Sequence, residues 1–289
     1  MKKIEKATAF VNENRDLFRC PVCERPFERV AGFSLVCPNN HSFDISKKGT
    51  LYFLTKSANN EYDKQMLASR QRILQAGLFD GLIQKISTFL KAAPETILDV
   101  GCGEGTPLAR LLRKRANADT AIGFDISKDG INLATQHETR SFFCVADLAR
   151  LPFNTSVFST VIDLFSPSSY SEFNRVIKPG GQLIKIIPNS GYLQELRQLL
   201  YGTDQANSSY SNQKVLDLFT THYPHSSIYP LRYQFQIPAG LQRDMMIMTP
   251  LHWGRGQGSH SSVQLETLTK ITVDVSILIN HFNDGGKNG

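Results

Sequence analysis

Two groups of residues in this chain have the types and spacing that chemistry needs. The first is Cys20-Pro21-Val22-Cys23 followed, after thirteen residues, by Cys37-Pro38-Asn39-Asn40-His41, a C-x2-C pair and a C-x3-H pair. Two short-looped pairs can close around one tetrahedral ion. Three thiolates and one imidazole make a closed structural zinc site with no position left open for catalysis. The competing reading is a chance cluster of buried thiols beside a surface histidine. Correct spacing in both pairs and the turn prolines flanking them oppose it.

The second group lies at three successive strand ends. Ile97-Leu98-Asp99-Val100 runs into Gly101-Cys102-Gly103-Glu104-Gly105, where glycines let backbone pass close to a ligand, and Thr106-Pro107 suits a helix start. A dinucleotide fingerprint would place its third glycine at 106, so G-x-G-x-G weakens a nicotinamide reading. A second strand ends at Asp125, whose carboxylate can accept from ribose hydroxyls or cap a helix. A third ends at Asp147-Leu148, an acceptor for an adenine amino group and an apolar cover for its ring. Together they predict one pocket at the carboxyl edge of a sheet.

The elements that must position these groups follow from periodicity. From Pro94 onward, strand-like and helical runs alternate (Thr96–Val100, Leu108–Arg115, Thr120–Phe124, Ile131–Gln136, Phe142–Val145, Val157–Leu164, Ser171–Val176, Leu183–Pro188, Tyr192–Tyr201), a βαβ series and hence an α/β fold with a parallel sheet. Two late strands are expected at Met245–Met248 and Ile271–Ile279. Helices broken near Gly77 are expected over Asp63–Leu90, and short extended runs at Phe33–Val36 and Thr50–Leu54 give the cysteine-rich segment a small β-rich character. The expected division is an N-terminal extension (1–17), a zinc-binding module (18–55), a helical linker (56–93), the main domain (94–282) and a disordered tail (283–289). Loss of the module's metal is expected to spare cofactor binding in the main domain.

The composition, 41% apolar and 20% charged over 289 residues, suits one main domain plus a small module. No apolar run is long enough for a signal peptide or a membrane span, so cytoplasm is the default location. Residues 1–60 hold ten Lys/Arg against six Asp/Glu, four of the chain's six net positive charges. That excess fits either an anionic partner or ordinary solvation of a small surface.

The run D-V-G-C-G-E-G, the acid Asp125 and Arg175-Val-Ile-Lys-Pro-Gly-Gly181 before the next strand resemble the class I (Rossmann-like) S-adenosylmethionine methyltransferases over Ile97–Pro188. That implies S-adenosyl-L-methionine held by Asp99, Gly101, Gly103 and Asp125, with in-line attack on the sulfonium methyl aided mainly by positioning and desolvation. The C-P-x-C module, the segment Tyr62-Asp63 through Arg70 to Ala76-Gly77-Leu78-Phe79, and Met248-Thr249-Pro250 with Trp253 extend the resemblance. From about Phe18 to Phe282 the chain resembles the RlmA-type 23S rRNA guanine-N1 methyltransferases. These act on a domain II hairpin lining the peptide exit tunnel, and their Gram-positive branch includes enzymes giving resistance to tylosin-like macrolides.

The resemblance matches Cys20, Cys23, Cys37 and His41 to structural zinc ligands and Phe79 to an aromatic residue near the cofactor. It also puts Gly103-Glu104 in the methionine-binding loop and Tyr192 where some members place a cofactor-site histidine. Its implied partner is a 23S rRNA hairpin, gripped by groups such as Arg25, Arg29, Lys47 and Lys48, with the target base turned out beside Phe165 and Pro167. A homodimer is compatible with the sequence, which does not set the oligomeric state. Thr106-Pro107 departs from the family, which often has aromatic residues there. Asp163 is either a base for guanine N1 or a structural acid, and the family's resemblance assigns no catalytic residue. The other readings are a small-molecule methyltransferase with a structural zinc module and an RNA-binding protein with a degenerate pocket.

Overall fold

The computed structural model describes residues 1–55, 63–116, 118–138, 140–201, 211–249 and 265–283. Seven strands form the main sheet's body: β5 (Thr96–Val100), β6 (Thr120–Asp125), β7 (Phe142–Val145), β8 (Phe158–Leu164), β9 (Ile177–Pro188), β10 (Ser227–Gln236) and β11 (Lys270–His281). Their order is β10-β11-β9-β8-β5-β6-β7, with β5 to β9 parallel and β11 antiparallel to both its neighbours. The strand order reverses between β5 and β8, the place where open α/β sheets form their ligand crevice. Strands β5 and β7 are buried on both faces, as strands covered on both sides must be, and Asp99 is the one charged residue they carry.

One face is covered by α2 (Lys64–Gln75), α3 (Asp80–Ser87), α4 (Thr106–Arg115), α5 (Lys128–Ala134) and α7 (Gln194–Tyr201), which share a core with Ile97, Ala121, Ile162 and Ile184. Local sequence starts these helices where it should. Asp63 caps α2 by accepting from the Met66 N–H at 2.6 Å. Ser127 caps α5 by accepting from the Gly130 N–H at 3.1 Å. Arg113, Lys114 and Arg115 end α4 where its dipole favours cations.

The opposite face carries α6 (Tyr170–Val176) and α8 (Gln213–His222), but the β7–β8 connection supplies only a 3-10 turn, Leu148–Arg150. The N-terminal region covers the remainder. A three-stranded sheet of β1 (Arg29–Ala31), β2 (Ser34–Val36) and β3 (Ser42–Asp44) leads into β4 (Thr50–Tyr52), which pairs in parallel with β7 as the eighth strand of the main sheet. Phe18, Phe53, Phe142 and Phe153 form a ring cluster across this junction, and Phe10 of α1 (Lys3–Glu13) stacks on Phe142 at 5.4 Å. The N-terminal extension and the zinc module thus share a core with the main sheet.

A correction concerns the late strands. Met245 and its neighbours belong to a helix, α9 (Gln242–Ile247), and the strand beside β11 is β10. Its alternation (Leu231, Tyr233 and Phe235 inward, Arg232, Gln234 and Gln236 outward) is period two, and Pro230 fits because β10 is an edge. The Lys56–Tyr62 stretch, Pro250, Trp253 and the tail from 284 lie outside the described residues.

Candidate active site and metal centre

The two ligand pairs of the N-terminal module converge. Cys23 Sγ lies 3.6 Å from Cys37 Sγ, and His41 Nδ1 lies 3.5 Å from Cys20 Sγ and 3.4 Å from Cys37 Sγ. All four ligand atoms fall within 4.8 Å of one another. A disulfide needs sulfurs about 2.05 Å apart. A zinc tetrahedron with Zn–S near 2.3 Å separates its sulfurs by about 3.8 Å, close to the 3.6 Å between Cys23 and Cys37. Each pair brackets a tight turn: the Glu24 N–H donates to Cys20 O, the Asn40 N–H to Cys37 O, and Glu24 and Asn40 both sit in the left-handed region. The Arg25 backbone N–H holds the Cys23 thiol down to about 6, whereas burial pushes Cys20 up to about 11. A divalent ion between them favours the thiolate at both.

The second site is a cavity of about 830 Å³ at the carboxyl ends of β5, β6, β7 and β8. Gly101, Gly103, Asp125, Asp147, Leu148 and Tyr192 lie on its wall. Gly101 has φ +61°, and a Cβ there would collide with Ser166 Oγ; Gly103, φ +55°, faces open space. Asp125 Oδ2 accepts from the Gly103 N–H at 2.8 Å and Oδ1 from the Ser127 N–H at 2.7 Å. Since Ser127 is the cap of α5, Asp125 is a brace for the glycine loop, with lone pairs left toward the cavity. Burial raises its pKa. Asp147 accepts from the Ala149 N–H at 2.9 Å, which sets Leu148 at the wall.

Three predicted residues stand behind that wall instead. Phe79 is buried and packs edge-on against Phe165, whose ring centroid is 5.8 Å away. Glu104 is fully buried, where its carboxylate accepts from the Thr106 hydroxyl at 2.5 Å and N–H at 3.2 Å. Its backbone oxygen lies 3.0 Å from His137 Nε2, so it fixes the start of α4. Asp99 is buried at the end of β5, and its Oδ2 has no hydrogen-bond partner among the described residues. Burial first, then the charges of Asp125, Asp163 and Glu104, push Asp99 up to about 8.

Sequence reasoning missed two cations on the wall, Arg70 and Arg197. Arg197 donates to Ser190 O. Arg70 forms no ion pair with a described residue; burial raises the pKa of Asp99, Asp125 and Tyr192, and the charge of Arg70 opposes that rise at each. A signal was available: Arg70 stands four residues after Met66 and three after Leu67, one cation on an apolar helix face. Ser69 and Arg72 of the same helix bind Asp244 of α9, with Arg72 Nε at 2.7 Å and Ser69 Oγ at 2.8 Å, which carries Met248 and Thr249 to the cavity's rim.

Past Leu164 the wall is Phe165 to Ser169. Phe165 adopts φ +61°, and its ring lies 5.1 Å from that of Tyr192. Beneath this turn is a buried ion pair, Lys185 Nζ to Asp163 Oδ2 at 2.7 Å.

A methyltransferase-domain family model matches residues 91–229, and a model described as the RlmA N-terminal zinc ribbon matches residues 18–55. A Bacillus subtilis (strain 168) protein, YxjB, described as a candidate 23S rRNA (guanine-N(1)-)-methyltransferase, is 39% identical over 91% of this chain and 96% of its own length. A Micromonospora griseorubida protein with the same description is 29% identical over 81% of this chain and 86% of its own. The 23S rRNA (guanine(748)-N(1))-methyltransferase of Streptomyces fradiae is 30% identical over 62% of this chain and 65% of its own. With a Cys3His zinc ribbon fused to a class I S-adenosylmethionine-dependent methyltransferase sheet, this chain belongs to the RlmA-type 23S rRNA (guanine-N1)-methyltransferases.

Proposed function

We propose that the protein transfers the methyl group of S-adenosylmethionine to N1 of a guanine in a 23S rRNA domain II hairpin. The observation that carries this reading is the two-part cavity. One half offers Asp125, Asp147 and Leu148 to a nucleoside, while the other, from Phe165 to Ser169 with Tyr192 and Thr249, is left for a second planar ligand. Its size lies at the upper end of the roughly 300–1,000 Å³ typical of ligand sites, room for cofactor and base together.

In this reading Asp125 accepts from the ribose hydroxyls, Asp147 from the adenine amino group, and Leu148 covers the ring. Arg70 binds the methionine carboxylate, and the unpartnered Asp99 oxygen takes a hydrogen bond from the methionine ammonium or an ordered water. Cys20, Cys23, Cys37 and His41 hold a structural zinc ion. The charge excess of residues 1–60 orients the RNA through its phosphates, so binding weakens with salt while base choice does not. The target base must be unpaired or flipped to enter. No helix among the described residues is long and apolar enough to cross a membrane, consistent with action on ribosomal RNA in the cytoplasm.

The test is transfer of labelled methyl to 23S rRNA transcripts followed by mapping of the modified atom. A methyl at guanine N1 is expected; transfer only to small molecules would overturn the reading.

A further inference from the structure

Guanine N1 carries a proton that must leave as the methyl arrives, and among the described residues no carboxylate lies on the wall from Phe165 to Ser169 to take it. Asp163 is fully buried at the end of β8, so it cannot touch the base. Its contacts are nevertheless complete and directional. Oδ1 accepts from the Ser166 N–H at 3.1 Å. Oδ2 accepts from Lys185 Nζ at 2.7 Å and from the Ser168 hydroxyl at 3.0 Å. Lys185 also donates to Ser166 O at 3.0 Å, which locks the turn that carries Ser168. Ser166 and Ser168 both line the cavity, but Ser166 reaches Asp163 through its backbone N–H and gives its hydroxyl to Val100 O, whereas Ser168 reaches Asp163 through a hydroxyl that can both give and receive a proton.

Resting on the guanine-N1 reading, we propose that Ser168 is a catalytic residue that relays the N1 proton to Asp163, with Lys185 holding Asp163 in position. As N1 attacks, the N1–C bond forms and the C–S bond breaks, its electron pair remaining on sulfur. The N1 proton passes to Ser168 Oγ while the Ser168 proton passes to Asp163 Oδ2. One positive charge disappears at the sulfonium and one appears as the proton on Asp163, so the site's total charge does not change. This matters in a buried site, where an uncompensated charge is costly. After product leaves, the proton returns through Ser168 to solvent.

Burial holds Asp163 up at about 6 despite Lys185, within reach of proton transfer near neutral pH. The groups that face it are Lys185 on β9, Asp99 on β5, Ser166 and Ser168 on the turn, and Tyr170 on α6.

The experiment uses the full-length protein, 23S rRNA transcripts and single-turnover conditions. Ser168→Ala is expected to slow methyl transfer about 100-fold with S-adenosylmethionine affinity unchanged, the scale of a lost general base. Wild-type rate should rise with pH and level off above about 6. The variant should instead keep rising into the alkaline range, where guanine ionises unaided. Ser168→Thr, which keeps the hydroxyl, should restore both rate and profile. A second readout needs no turnover: carbon-13 titration of the Asp163 carboxyl should move upward in Ser168→Ala, because the hydroxyl's hydrogen bond lowers it. A Ser168→Ala variant with wild-type rate and profile overturns the relay while leaving the guanine reading intact. Wild-type product bearing its methyl on an atom other than N1 overturns the reading and the relay together.

Discussion

The metal centre and the cofactor cavity use polar groups in opposite ways. In the zinc ribbon every ligand atom faces the other three, and the two turns close on themselves. On the cavity wall Arg70 has no anionic partner among the described residues, behind it Asp99 Oδ2 has no donor among them, and Asp125 takes one backbone N–H on each oxygen where a carboxylate can accept more. A saturated site stabilises a fold; a site with unmet donors and acceptors binds something that comes and goes. The difference predicts where each region is sensitive.

Cys37→Ser should have the largest effect. Metal binding contributes ~10–16 kcal/mol in isolated zinc fingers, so losing one ligand should cost several kcal/mol of stability here. Because β4 and the Phe18, Phe53 and Phe142 rings join the module to the main sheet, one thermal transition should shift as a whole, together with loss of bound zinc. A main transition that stays in place would separate the two regions after all.

Arg70→Ala and Asp125→Ala should each weaken S-adenosylmethionine binding by about 1.5–3 kcal/mol, roughly ten- to 150-fold, the range for hydrogen bonds to charged groups. Zinc content should not change. Calorimetric titration giving an unchanged Kd for either variant would remove that residue from the cofactor site.

Asp99→Asn should change the pH dependence of stability. With its pKa raised to about 8 from an ordinary 3.8, the folded protein keeps a proton that the unfolded chain releases. This group's contribution is therefore full below about 3.8 and declines as pH rises toward about 8, where folded Asp99 ionises. The variant should lose that decline in urea titrations between those limits; an identical slope would mean Asp99 stays ionised. Leu148→Ala should be the mildest, about 1 kcal/mol of cofactor affinity from lost apolar cover, and an affinity equal to wild type would place the adenine elsewhere.

These same two regions account for what could be read in advance. The β5, β6 and β7 strand ends were legible because a two-sided strand, a glycine turn and an acid are local patterns. The four metal ligands were legible for the same reason. The extended run of β4 was legible too, but its place in the main sheet was not, since three residues reveal nothing about a partner at 143–145. The Met245 segment misled because a short apolar run fits strand and helix alike. Phe79, Asp99 and Glu104 were assigned to the cofactor by motif, and a motif cannot tell a residue on the wall from one supporting it. Arg70 and Arg197 reach the cavity from helices that lie far apart in sequence, a convergence that only the packing of α2 and α7 produces.

The pairing of β4 with β7 also orders events during synthesis. Thr50 and its partner Phe143 are separated by 93 positions. At roughly 5–20 residues per second the ribosome takes about 5–20 s to deliver that partner. The cysteine pairs emerge early and can capture metal at once, but β4 must wait with an unpaired edge and a phenylalanine surface uncovered. Metal supply therefore acts on the nascent chain before the cofactor domain exists. A cell short of zinc should accumulate aggregates of this protein, with the exposed strand edge as their seed.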